Sequence, residues 1–195
     1  MIEIRTLTGA ALETAIDDIA RLRIAVFRDW PYLYDGDLDY ERSYLRDYNH
    51  PTAIVVAALD GPRIVGAATG MALEVHAEDF AAPFAKRPEP LDRIFYCAES
   101  VLLPEYRGRG LGHAFFDARE DHARSLGRRY CAFCGVIRPE DHPLRPEGAR
   151  THDAFWRGRG YLPLPGVVAH FRWRDIDQPG ETDHRLQFWM RDLTP

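Results

Sequence analysis

The residues best equipped for chemistry lie in one run, Glu99-Ser100-Val101-Leu102-Leu103-Pro104-Glu105-Tyr106-Arg107-Gly108-Arg109-Gly110-Leu111-Gly112-His113. It reads as an apolar strand stopped by a proline, a sharp turn, and a glycine-rich entry into a helix. Glycines at 108, 110 and 112 let the main chain turn tightly and come close to a ligand, since no side chain stands in the way. The start of the following helix offers unpaired N–H groups and a partial positive charge, which suit a phosphate or pyrophosphate. Arg107 and Arg109 add two cationic forks to a chain that is acidic overall. No Gly-Lys-Ser/Thr follows, so the nucleotide-triphosphate loop is excluded, and the glycine spacing does not fit the dinucleotide fingerprint. A lone glycine turn would be read as a helix cap; strand, proline, Tyr-Arg and helix in this order argue for an anion cradle.

This run resembles the signature of the GNAT superfamily of acetyl-CoA-dependent N-acetyltransferases, an apolar strand, a proline, an aromatic, then Arg/Gln-x-x-Gly-x-Gly or Ala opening a helix. Arg107-Gly108-Arg109-Gly110-Leu111-Gly112 meets each fixed position, and Leu102-Leu103-Pro104-Glu105-Tyr106 matches what precedes it. The resemblance extends over the order of elements from Ile2 to about Tyr161. It implies a mixed, mostly antiparallel α/β sheet of six to seven strands flanked by helices and splayed at the cofactor strand. It also implies acetyl-CoA as co-substrate, no metal, and direct transfer to an amine. Main-chain groups of Ser100, Val101 and Leu102 would pair with the pantetheine arm, and N–H groups from Gly108 to His113 would hold the pyrophosphate.

Direct transfer needs a neutral amine, whereas an alkylamine with a pKa of ~10.4 is mostly protonated at neutral pH. Glu99, just before the cofactor strand's binding groups, is the candidate base; an arginine-paired structural carboxylate is the alternative, and both stay open. The Leu102 N–H is the candidate oxyanion donor. By the resemblance, the departing thiolate is often protonated by a tyrosine in an aromatic-Tyr-x-x-x-Gly-aromatic pattern. Here that stretch is Phe155-Trp156-Arg157-Gly158-Arg159-Gly160-Tyr161, so Trp156 takes the tyrosine's place. His152, one turn earlier, is the stand-in, with another tyrosine or water as alternatives. The loop holding Trp30, Tyr32 and Tyr34 falls where the family forms one wall of its acceptor site. So many loop aromatics either line a pocket or pack on the core. Asp35, Asp37 and Asp39 either draw in a cation or form a solvated turn.

These residues need a scaffold, and the pattern supplies one. Ile2–Ile4 reads as a strand, and Leu12, Ile16, Ile19, Leu22 and Val26 recur at helical spacing after Thr8 or Gly9. A polar helix is expected over Tyr40–Tyr48. The runs Ala53–Leu59 and Ile64–Met71, joined through Asp60-Gly61, predict a hairpin. Residues 74–93 read as an inserted loop with a short helix. Ile94–Leu103, Tyr130–Ile137, Val167–Trp173 and Leu186–Leu193 are expected strands. Leu111–Leu126 is an expected helix closed by Gly127, and Thr151–Arg157 a shorter one.

The 195 residues, 46% hydrophobic and mixed in charge sign, fit one domain with a real core. A net charge of −5 argues against a general nucleic-acid binder, and no apolar stretch reaches membrane-spanning length. Three cysteines complete no disulfide framework and the N-terminus lacks a signal-peptide layout, so a cytoplasmic location is expected. Cys131 and Cys134 have CxxC spacing but lie in a strand pattern and read as buried thiols; His142, His152, His170 and His184 lack metal-ligand spacing. An exposed apolar strand around Phe188-Trp189-Met190 would offer a route to a homodimer. The expected function is N-acetylation of a small-molecule amine. A non-catalytic CoA or acyl-CoA module is the alternative, and use of a longer acyl group a third.

Overall fold

The structure, a computed structural model, describes residues 2–76 and 78–194. Seven strands form one sheet: β1 (Glu3–Leu7), β2 (Ile54–Asp60), β3 (Arg63–Ala72), β4 (Ile94–Leu102), β5 (Tyr130–Val136), β6 (Leu162–Arg174) and β7 (Glu181–Asp192). Their spatial order is β1-β2-β3-β4-β5-β7-β6, and every neighbouring pair is antiparallel except β4 with β5. Helices α1 (Gly9–Phe27), α2 (Leu38–Arg46), α3 (Glu78–Ala81), α4 (Leu111–Ser125) and α5 (Asp153–Gly158) complete the chain.

Two cores sandwich the sheet. The α1 stripe Leu12, Ile16, Ile19 and Leu22 packs with Val55, Ala57, Met71 and Val101 on one face. On the other, Phe115 and Phe116 of α4 pack with Phe95, Cys97, Phe133 and Tyr161. Each large side chain buried this way stabilises the fold by roughly 1.5–3 kcal/mol relative to exposure. A third cluster, containing Phe84, Tyr96 and Phe188, ties the 74–93 insertion to β4 and β7. The hairpin expected at Asp60-Gly61 is present, with Gly61 at φ +59°, and Gly127 follows α4 at φ +69°.

Two irregularities shape the centre. First, β4 and β5 pair only at Ile94–Tyr130, Phe95–Cys131 and Tyr96–Ala132, and then diverge. Their facing edges beyond Tyr96 are therefore left open, as the splayed sheet of the resemblance implies. Second, the β3–β4 register slips: Ala68 pairs with Ser100 and Gly70 with Cys97, so Ala98 and Glu99 together face Thr69. This is a β-bulge, one extra residue in β4 that breaks the strict alternation of faces. Cys97 belongs to the α4-side core, Ala98 and Glu99 both turn to the opposite face, and Ser100 returns to α4.

The last two strands differ from the sequence-based expectation. β6 and β7 each start about five residues earlier: in β6, Pro163, Pro165 and Gly166 hide a strand whose register breaks between Pro163 and Val168, and in β7 the polar run from Glu181 is drawn into the ladder opposite Arg172–Arg174. β7 also lies inside the sheet between β5 and β6, with Phe188 and Trp189 buried, so the sheet's edges are β1 and β6 and β7 is not the exposed apolar strand that the expected route to a homodimer needs. Among the described residues, no helix is long and apolar enough to cross a membrane.

Candidate active site

The cradle is made by the main chain. After the 3₁₀ turn Pro104–Tyr106, Gly108 (φ +74°) and Gly110 (φ +81°) take left-handed conformations that other residues rarely adopt. A Cβ placed on either would project into open space, which is the room an anion would fill. No side chain caps Gly110, and the Ala114 N–H, bound to Gly110 O at 3.2 Å, is the first of α4 to reach a carbonyl in the turn before it. The N–H groups of Leu111, Gly112 and His113 thus remain for a ligand. Arg107 Nε donates to Leu102 O at 3.2 Å and Arg109 Nη2 to Glu105 O at 2.8 Å, so both guanidinium groups brace the turn while keeping positive charge beside it. A pyrophosphate fits this geometry, and the open edge of β4 from Cys97 to Leu102 leads from it along the splay.

The bulge sets Glu99, and two buried arginines hold it from opposite faces. On the α4 side, Arg119 is 1% exposed and donates through Nη1 to Glu99 O at 2.9 Å and Thr69 O at 3.2 Å, and through Nη2 to Ser100 Oγ at 2.8 Å. It thereby satisfies carbonyls that the broken ladder leaves over. On the other face, Arg23 of α1 pairs directly with both the Glu99 and the Glu41 carboxylates. The Arg23 guanidinium also lies over the Tyr44 ring at 4.3 Å. Tyr44 donates to Glu99 Oε2 at 3.0 Å; its hydroxyl meets that of Tyr48 at 2.6 Å, and Tyr48 meets His76 Nε2 at 3.4 Å. Burial, then the negative charge of Glu99, pushes the Tyr44 and Tyr48 hydroxyls well above the ordinary phenol range. Burial pulls His76 down to about 4 against the opposing pull of Glu99, so its imidazole is neutral at pH 7.

These groups open onto a cavity of about 1020 Å³ between α1, α2, the insertion, β4 and β6. Tyr32, Tyr34 and Glu99 all line it, so three of the expected residues come together. Trp30 does not: its ring packs 5.4 Å from His142, turned away behind the Trp30–Pro31 bond. The loop is clamped by Arg138, which donates to Pro31 O at 2.8 Å and Tyr32 O at 2.6 Å and grips Asp175 with two bonds of 2.6 and 2.8 Å. Asp35 is taken up by Arg174 at 2.5 Å and Arg28 at 3.2 Å, Asp37 caps α2 through the Tyr40 N–H, and Asp39 meets Arg42 at 3.0 Å.

His152 precedes α5, its ring 5.7 Å from Trp156, and it does not line the cavity that Glu99 lines. Desolvation and the nearby Arg107 charge hold it below the usual imidazole range, which favours the neutral form. Trp156 covers Gly135 and packs on Phe133 and Trp189 at 4.9 and 5.1 Å. Tyr161, the other residue of that pattern, gives its hydroxyl to buried Glu120 at 3.0 Å. Of the cradle residues, Ser100 turns to Arg119, Val101 is buried against α1, and Leu102 packs on the α4-side core; all three pair with β3 on one side and lie beyond the last pairing with β5 on the other. Cys97, Cys131 and Cys134 are buried free thiols, and among the described residues no cluster of His, Cys, Asp or Glu is arranged to hold a metal ion.

The sequence reading missed Arg23, Glu41, Tyr44, Arg119 and Arg138. A signal existed for two: Arg23 and Arg119 interrupt the apolar stripes of α1 and α4 at i+4 from Ile19 and Phe115. A charge in an apolar stripe marks a buried partner.

Comparison with known proteins adds independent evidence. The model of the acetyltransferase (GNAT) family matches residues 19–145. Among curated proteins no sequence matches. The fold superposes on an N-acetyltransferase from Staphylococcus aureus Mu50 at a TM-score of 0.65, with 12% identity over 100% of this chain and 99% of that one. It also superposes on a ribosomal-protein-alanine N-acetyltransferase from Brucella melitensis (TM-score 0.63, 14% identity, 97% and 99% covered). An aminoglycoside 6'-N-acetyltransferase complexed with coenzyme A gives 0.60 at 15% identity, with 100% and 98% covered. At such identities the structural likeness speaks for the fold.

Proposed function

The chain belongs to the acetyltransferase (GNAT) family, and from that premise we propose that it transfers the acetyl group of acetyl-CoA to an amine of a small molecule. The observation that carries this reading is the position of Glu99. Its main chain lies on the open edge of β4 that leads to the anion cradle, and its carboxylate lies in the wall of the cavity on the other face.

Gly108 to His113 would hold the pyrophosphate by main-chain N–H groups, and the edge of β4 from Ser100 to Leu102 would pair with the pantetheine arm. Acetyl-CoA supplies a thioester whose carbonyl carbon gains a C–N bond to the amine as its C–S bond to the thiol breaks. The residues of this chain manage the protons. The acceptor enters as an ammonium and gives one proton to Glu99, directly or through the Tyr44 hydroxyl that already touches Oε2. The Leu102 N–H is the candidate donor to negative charge developing on the carbonyl oxygen. A second proton, lost by the nitrogen as the amide forms, goes to the departing sulfur. With Trp156 in the pattern's tyrosine position, His152, another tyrosine or water supplies it. That the cavity is walled by the aromatic loop, the insertion and β6 supports a small acceptor over a protein surface.

A second reading, a CoA-binding module without turnover, is favoured by the complete engagement of both Glu99 oxygens by Arg23 and Tyr44. Calorimetric titration with acetyl-CoA followed by thiol-release assays on an amine panel separates the two. Binding with release supports transfer, binding without release on any amine supports the module, and no binding overturns both.

A further inference from the structure

We infer that the acceptor is a primary ammonium carried on a flat, apolar, aromatic body with no second charge; this rests on the reading just given and narrows it. Three observations carry it.

The first is a charge imbalance. Arg23 stands between Glu41 and Glu99, and the three side chains are 8%, 1% and 8% exposed, respectively. Two carboxylates share one guanidinium in a low-dielectric wall, leaving one surplus negative charge. Such a charge is costly unless a proton or cation balances it. The carboxylate of Glu99 faces the cavity, so a ligand cation can do so.

The second is that the other acids offer no matching second anion at depth. Asp35 is neutralised by Arg174 and Arg28, and Glu181 lies 3.8 Å from Arg172. Asp37 is occupied as the cap of α2, and Asp47 is exposed at that helix's far end. A polyamine would leave further ammonium groups without buried partners. An amino acid would bring its carboxylate against the surplus negative charge.

The third is the form of the walls. From Tyr44, edge-to-face contacts run to Tyr48 at 5.3 Å, to His76 at 6.4 Å, and on to Phe80 at 4.3 Å, which meets Phe171 at 4.3 Å. In a second series Phe27 meets Tyr32 at 4.6 Å, and Tyr32 meets Trp173 at 6.0 Å. Two aromatic walls beside a single anion suit a ring-bearing amine, because rings gain from ring contacts beyond the area buried. A cation near those faces gains as well.

The test compares thiol release from acetyl-CoA with 2-phenylethylamine, n-hexylamine, spermidine and phenylalanine. The expected kcat/KM for 2-phenylethylamine is about tenfold or more above each of the others. Glu41→Gln removes the surplus charge and should raise KM for 2-phenylethylamine about tenfold with little change in kcat. Tyr32→Leu should lower kcat/KM for 2-phenylethylamine more than for n-hexylamine and so shrink the preference between them. Equal or better use of n-hexylamine, spermidine or phenylalanine overturns the inference and leaves the acetyltransferase reading standing. Should none of the four turn over, 2-phenylethylamine is titrated into the CoA-bound protein and tryptophan fluorescence followed. Saturable binding, weakened by Glu41→Gln, upholds the site while failing the transfer reading. No binding up to millimolar concentration overturns the inference, and acetyl-CoA titration reports separately on the cofactor half.

Discussion

The two halves of the site are built by opposite means. The proposed cofactor cradle would use main-chain N–H groups from one run of six residues, with glycines that keep side chains out. The acceptor half uses side chains from α1, α2, the aromatic loop, the insertion, β4 and β6, brought together only by folding. A surface of main-chain groups tolerates substitution wherever no side chain intrudes, whereas one of buried paired charges depends on each partner. The cradle therefore fails through what is added, and the cavity through what is removed.

The largest expected effect tests that asymmetry at the cradle. Gly110→Glu would set a carboxylate where the phosphates are proposed to bind, on a residue whose left-handed φ strains any side chain. At ~4 Å and an effective dielectric of about 20 the repulsion is about 4 kcal/mol, near a thousandfold in affinity. Calorimetry with CoA should show binding lost while circular dichroism shows the fold kept; unchanged affinity in a folded variant would end the cradle assignment. Next, Glu99→Gln should lower kcat by roughly a hundredfold or more while CoA affinity stays within about threefold, because only the proton acceptor is removed. Equal losses in both would mean that the two halves are not separable. Arg138→Lys cannot reproduce the fork that holds Pro31 O, Tyr32 O and Asp175 together. Acceptor KM should rise about tenfold with CoA binding unchanged.

The smallest effect concerns pH. His76 titrates near 4 in the folded protein against about 6.5 unfolded, so below pH 6.5 the unfolded chain binds more protons. Its contribution to stability is complete above about pH 6.5 and is lost as pH falls toward 4. At pH 5.5 the loss should be about 1 kcal/mol, read as a steeper acid fall in Tm for the wild type than for His76→Asn. Parallel curves would show that the cavity wall does not desolvate this ring.

The same asymmetry explains what the sequence disclosed. The cradle was legible because its glycines, arginines and proline are consecutive and each follows from local geometry. Glu99 was legible only through its neighbours in that run. Its partners Arg23 and Tyr44 lie 76 and 55 residues away, and no local pattern links them. Tyr32 and Tyr34 line the cavity, but the sequence could not separate Trp30 from them, since the loop's path is set by its clamp to Arg138, 107 residues from Pro31. Strand ends were legible where the composition was β-branched, as in β2 and β3, and illegible at β6, where prolines and a glycine sit inside the strand. The bulge left no mark in the amino-acid types at all.

That bulge gives β4 something like a reading frame. Upstream of Ala98 one parity of residues faces α4, and downstream of Glu99 the other does, so the strand's two faces swap partners midway. Deleting Ala98 alone would restore one frame throughout. Cys97 and Ser100 would still face α4, and Glu99, now alone between them, would still face the cavity. A one-residue deletion at Ala98 should thus spare activity better than the substitution Glu99→Gln, since it leaves the acid on its own face.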